Sequence, residues 1–100
     1  MIHLPDPIEF QWDSGNMDKN FTKHNLTTKQ IEEAFLGERP HIMEDIRHSL
    51  AEKRYMLWNT SMVGQYLSII FTIRSSKVRV ISARPMNKKE RSAYEKTKSL

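Results

Sequence analysis

Cysteine is absent from this chain, glycine occurs three times, and no apolar run approaches the ~20 residues that a bilayer-spanning helix needs. The first absence excludes disulfides and thiolate metal sites and leaves the redox compartment open. So few glycines exclude the glycine-rich loops that cradle nucleotide phosphates. With no cationic segment and apolar core at the N-terminus either, the expectation is a soluble, cytoplasmic protein with no membrane partner. Nor is there a carboxylate pair placed for glycoside hydrolysis.

What is present fits one domain spanning residues 1–100, with no repeat, low-complexity segment or linker. Apolar residues make up 38% and charged residues 28%, a globular balance that places one small core in a chain with a thin stability margin. The net charge of +4 is uneven: from Arg74 to Leu100 nine Lys/Arg face only Glu90 and Glu95, leaving the preceding residues net acidic. The C-terminal third is therefore where a polyanion is attracted, although a basic run taken alone reads first as a solvated face.

Hydrophobic periodicity and capping residues predict an α+β order. Ile8-Glu9-Phe10-Gln11-Trp12 alternates as a short strand. Asp13 or Ser14 caps a helix with Met17, Phe21 and His24 on one face, ended by Asn25 in a left-handed conformation. Thr27 and Gln30 form a capping box for a second helix, stapled by Leu26 and Ile31, with Ile31, Ala34 and Phe35 inward and Gly37 and Pro40 as the stop. A short edge strand over His41 to Ile46 precedes strands over Glu52 to Trp58, Gln65 to Arg74 and Lys77 to Arg84. A tight turn at Ser75-Ser76 would put Leu67, Ile69, Phe71 and Ile73 on one face with Val78 and Val80, leaving Tyr66, Ser68, Thr72, Arg74 and Arg79 on the other. Asn87 and Glu90 cap a last, cationic helix reaching about Lys98.

RNA can be cleaved without a metal when its 2′-hydroxyl attacks the adjacent phosphate, given a proton acceptor, cations on the pentacovalent phosphate and a proton donor for the leaving oxygen. His24, Arg54, Arg74, Arg79, Arg84, Arg91 and Tyr94 supply those types. Four of them have a plainer reading beside this one. His24 ends an apolar helical stripe, Arg54 follows Glu52 on one strand face as a surface ion pair, Arg84 faces an apolar partner and snorkels at the edge, and Tyr94 packs its helix. Trp12 and Trp58 read as core before they read as base-stacking platforms. Glu44, Asp45 and His48 read as an acidic turn facing water rather than as a metal site, and no cofactor is expected.

The ordered set Phe10-x-Trp12-Asp13, Asn20-x-x-Lys23-His24, Glu52-x-Arg54, Arg79-x-Ile81-Ser82-Ala83-Arg84 and Lys89-Glu90-Arg91-x-x-Tyr94 resembles the BrnT family of toxin ribonucleases over Ile8 to Glu95. That resemblance implies the toxin half of a bacterial type II toxin–antitoxin pair with a RelE-like fold: an antiparallel sheet of about four strands, two N-terminal helices and one C-terminal helix. It implies an endoribonuclease needing no cofactor, with His24 and Glu52 as proton-transfer or orienting groups and Arg54, Arg79 and Arg84 on the scissile phosphate. Lys23 and Arg91 would hold flanking RNA backbone, with Arg74, Lys88 and Tyr94 completing the RNA contacts. The implied partner is a BrnA-like, dimeric ribbon-helix-helix antitoxin, in a 2:2 heterotetramer that binds operator DNA and represses its own operon. Two other readings stay open: an RNA- or antitoxin-binding module of the same fold that does not cleave, and a structural subunit that binds neither.

Overall fold

A computed structural model of the chain describes residues 3–17, 24–38 and 40–98. Four strands, β1 (His41–Glu44), β2 (Tyr55–Thr60), β3 (Tyr66–Arg74) and β4 (Lys77–Pro85), form one antiparallel sheet in the order β1-β2-β3-β4. Helix α1 (Thr28–Leu36) covers one face, and α2 (Lys88–Lys98) follows the last strand. Sequential antiparallel pairing needs only short connections, which suits a chain with so small a core.

The core forms where the alternation of β2, β3 and β4 meets the apolar stripe of α1. Leu57, Leu67, Ile69, Phe71, Val78, Val80 and Ala83 point at Ile31, Ala34 and Phe35, all buried. Phe35 meets the ring of Phe71 edge-on at 5.0 Å between centroids and that of Phe10 at 5.3 Å. Each fully buried side chain of this size contributes roughly 1.5–3 kcal/mol. The start of α1 is built as its residues predict: Gln30 N–H donates to Thr27 Oγ1 at 3.2 Å, Thr27 N–H donates to Gln30 Oε1 at 2.8 Å, and Leu26 and Ile31 are both buried. Asn25 is left-handed at φ 58°. Asn87 and Glu90 repeat the reciprocal cap at α2, at 2.8 and 2.9 Å.

Several expectations need correction. Two helices stand among the described residues, not three; most of the helix expected before Asn25 falls on residues 18–23, outside the described residues, and Met17, expected inward, is 42% exposed. The first strand is reduced to a parallel bridge of Phe10 with Val78 on the free edge of β4, held by Gln11 N–H to Val78 O and Val78 N–H to Glu9 O, both 2.8 Å. The strand expected from Glu52 begins only at Tyr55, because Ser49 takes up the Arg54 backbone N–H and the polar segment before β2 turns over the sheet. The edge strand stops at Glu44 and a 3-10 turn, Ile46–His48, follows.

The hairpin register is as the sequence predicts at the turn, where Arg74 pairs with Lys77 around Ser75-Ser76. It then shifts between Ile70 and Phe71: Phe71 pairs with Val80 but Ile70 with Ser82, so Ile81 is an extra residue in β4. Arg84 therefore lies opposite Ser68 and not opposite an apolar residue as expected.

Candidate functional site

Strand alternation leaves the sheet face away from α1 with side chains in three cross-strand rows. Nearest the β3–β4 turn, Thr72 pairs with Arg79, with Arg74 two residues further on and Arg54 just ahead of β2. The middle row, Met43–Met56–Ile70–Ser82, is largely apolar. The third is His41–Trp58–Ser68–Arg84. Residues 79 and 84 are an odd number apart and would point to opposite faces of a regular strand; the extra residue at Ile81 brings both arginines onto this face.

The first row holds a dense charge cluster. Arg74 grips Glu52 in a two-point pair, Nη2 to Oε1 at 2.7 Å and Nε to Oε2 at 3.0 Å. Arg79 grips Asp13 at 2.8 and 3.2 Å and reaches Gln11 Oε1 at 3.3 Å. Asp13 is held there by its own turn, in which its carboxylate accepts Gly15 N–H and its N–H donates to Asn16 Oδ1, both at 2.8 Å. The hydrogen bond from Arg74 holds the Glu52 carboxyl below the usual value, helped by the charges of Arg74, Arg54 and Arg79. Asp13 is lowered by Arg79 first, then by the Gly15 N–H and the charges of Arg79 and Arg74. Glu52 thus pairs with Arg74, whereas the sequence spacing predicts a pair with Arg54. Among the described residues, Arg54 is left with no side-chain hydrogen bond or ion pair, half-buried in the field of this cluster.

Arg84 belongs to a second centre. Its guanidinium binds Glu90 at two points, 2.6 and 2.8 Å, and donates to Pro85 O at 3.2 Å. Glu90 raises the Arg84 pKa, and Arg84 in turn lowers that of Glu90. From its partner Ser68 to Thr72, the partner of Arg79, is four residues along β3, roughly 13 Å. Of the residues assigned by resemblance, then, Glu52, Arg54, Arg74 and Arg79 come together and Arg84 stands apart. His24 is half-buried just before the left-handed Asn25 and makes no side-chain hydrogen bond among the described residues; Lys23 lies outside them.

On α2, Lys88 is exposed, and the Arg91 guanidinium lies 4.4 Å from the centroid of the Tyr66 ring. The Tyr66 hydroxyl donates to Glu95, which raises its pKa. Tyr94 is 2% exposed: its hydroxyl donates to Asn59 Oδ1 at 2.9 Å, and burial raises its pKa. Asn59 in turn donates to Ala34 O at 2.9 Å, so Tyr94 ties α2 through β2 to α1 and presents no ring to a ligand.

The sequence reading missed the carboxylate partners Asp13 and Glu90. Both appear in the sequence only as helix caps and within the quoted motifs, Asp13 in the Trp-Asp opening and Glu90 between Lys89 and Arg91, with nothing to mark them as arginine partners. It also missed the position of Trp58. While Trp12 packs on the core and donates to Glu32 Oε2 at 2.7 Å, Trp58 lies outside that core on the helix-free face. A cleft of about 620 Å³ opens elsewhere, between the end of α1, β2 and α2. Among the described residues, its charged lining is Glu33, Glu38 and Lys98.

Residues 12–90 match the family model of BrnT, the ribonuclease toxin of a type II toxin–antitoxin system. The chain belongs to the BrnT family. Comparison with curated proteins gives no match. Membership makes RNA the substrate and an antitoxin the partner at the level of the family. The segment matched to BrnT includes Asp13, His24, Glu52, Arg54, Arg74, Arg79, Arg84 and Glu90, and hence both arginine–carboxylate centres; Arg91 and Tyr94 follow directly after it. No helix among the described residues is long and apolar enough to cross a membrane.

Proposed function

We propose that this chain is an RNA-cleaving toxin that works without a metal ion, with the helix-free sheet face as its substrate surface and a fold of the RelE-like class. The observation that carries the reading is Arg54, a guanidinium with no internal partner among the described residues, set beside the Glu52–Arg74 and Asp13–Arg79 pairs. A phosphate can take up such a guanidinium without first breaking a salt bridge, and two-point binding to phosphate suits its fork geometry.

In the step proposed, the 2′-oxygen attacks phosphorus, its proton passes to a base, the P–O5′ bond breaks, and the leaving oxygen is protonated. The products are a 2′,3′-cyclic phosphate and a 5′-hydroxyl. Arg54 and Arg79 stabilise the charge on the phosphate. Glu52, kept ionised by Arg74, is a weak base and serves to orient that arginine; His24 has the proton-transfer role. Arg84, with Lys88, Lys23 and Arg91, binds backbone flanking the scissile bond.

Incubating the purified chain with RNA in EDTA tests this reading. Cleavage with cyclic-phosphate ends is expected, with loss on Arg54→Ala. Tight RNA retention with intact RNA would instead identify a binding module, and a mobility unchanged by RNA at low salt would identify a subunit that binds neither. The partner proposed is a dimeric ribbon-helix-helix protein in a 2:2 assembly. Co-expression with the product of the neighbouring reading frame should give that stoichiometry, an operator complex and loss of cleavage.

A further inference from the structure

We propose that Trp58 is a stacking platform for one unpaired base of single-stranded RNA, so that the substrate lies across the sheet from the Arg54/Arg79 end to Arg84. The inference rests on the ribonuclease reading above and adds a specificity-determining residue to it.

Four observations carry it. Trp58 is half-buried on the helix-free face and takes no part in the core, where a large apolar side chain of a small domain would ordinarily be used. Its indole is pinned: Nε1–H donates to Ser68 Oγ at 3.2 Å, and the His41 ring sits 6.0 Å away at a tilt of 35°. A ring fixed in this way loses little freedom when a base settles on it. Beside it the middle row, with Met56 and Ile70 half-buried, gives an apolar floor. Cations bound this floor at both ends, Arg79 and Arg54 at one and Arg84 at the other. An apolar strip with an aromatic ring, bounded by arginines, matches a polymer whose backbone is anionic and whose bases are flat and apolar on their faces. An apolar segment of a protein would leave Arg54 without complementary charge, since Arg79 and Arg84 have Asp13 and Glu90 but Arg54 has no carboxylate of its own among the described residues. Duplex RNA keeps its bases stacked on one another and cannot use the ring.

The test uses a 2′-O-methylated RNA oligonucleotide, which cannot cleave itself, single-stranded and as its duplex. In the full chain with Trp12→Phe, Trp58 is the sole indole, and its fluorescence should be quenched by the single strand and not by the duplex. Trp58→Ala should weaken single-strand binding by about 5- to 150-fold, while Trp58→Phe stays within a few-fold of the parent and duplex binding is unchanged. The platform is overturned if the single strand binds without quenching, if Trp58→Ala binds it as the parent does, or if single strand and duplex weaken together with a fall in the thermal midpoint. It is equally overturned if sizing shows a dimer that Trp58→Ala dissociates, since a second copy would then occupy the face. Cleavage independent of Trp58 would sink the platform alone; absence of RNA binding by the parent chain would sink the ribonuclease reading as well.

Discussion

At the scale of single residues, arginine is worth most where it is unengaged. Arg54→Ala should lower kcat/KM for RNA by about 100-fold, the order seen when one preorganised donor to a transition state is removed, with little change in the thermal midpoint. A midpoint that falls as far as activity would make Arg54 a fold residue. Asn59 is the opposite case. It bonds Ala34 and Tyr94 from one buried amide and also accepts Thr60 N–H, so Asn59→Ala should cost about 2–3 kcal/mol, leaving buried polar groups unpaired. For a domain of this size that lowers the midpoint by roughly 10–20 °C, measurable by calorimetry. The sequence disclosed residue types well and pairings poorly. Glu52 and Arg54 are two positions apart, yet the partner of Glu52 is Arg74, twenty-two positions away, because the segment before β2 turns over the sheet.

At the scale of elements, local signals were legible where the chemistry is local. Both capping boxes, the left-handed Asn25, the strand cores and the Ser75-Ser76 turn follow from neighbours three or four residues apart. The bulge does not: Ile81 looks like any strand residue, and only the competing demands of Val80 and Ala83 for the same core show that one position must be skipped. The first strand failed for a related reason, since its alternation is real but its partner is a single stretch of β4 edge. The turn itself is strained, with Ser75 at φ 50° and Ser76 at φ 63°, where side chains with a Cβ are disfavoured. Ser76→Gly should therefore stabilise the hairpin, by about 1 kcal/mol before the added flexibility of the unfolded chain is counted. Denaturation midpoints of the two proteins decide it. An unchanged or lower midpoint would mean that the strain is offset by the entropy of the unfolded glycine.

At the scale of the whole molecule, three carboxylates lie below their ordinary values: Asp13, Glu52 and Glu90, each held down first by an arginine. A folded-state value below the unfolded one means stability that is fully present above the unfolded carboxylate pKa and lost as the pH falls through the folded value. These three groups should thus make the thermal midpoint fall as the pH drops through and below the ordinary carboxylate range of about 4 to 4.5. Glu90→Gln should flatten part of that drop while lowering stability at neutral pH. Of these three, the capping carboxylate is the most consequential, because Glu90 serves Asn87 N–H and both amino groups of Arg84 at once. A phosphate arriving at Arg84 competes for the same guanidinium, and whatever loosens that pair also loosens the first turn of α2. By linkage, occupancy of the sheet face and fraying of a helix become one equilibrium, so RNA engagement should be readable as faster deuterium uptake at the backbone amides of Asn87 and Glu90.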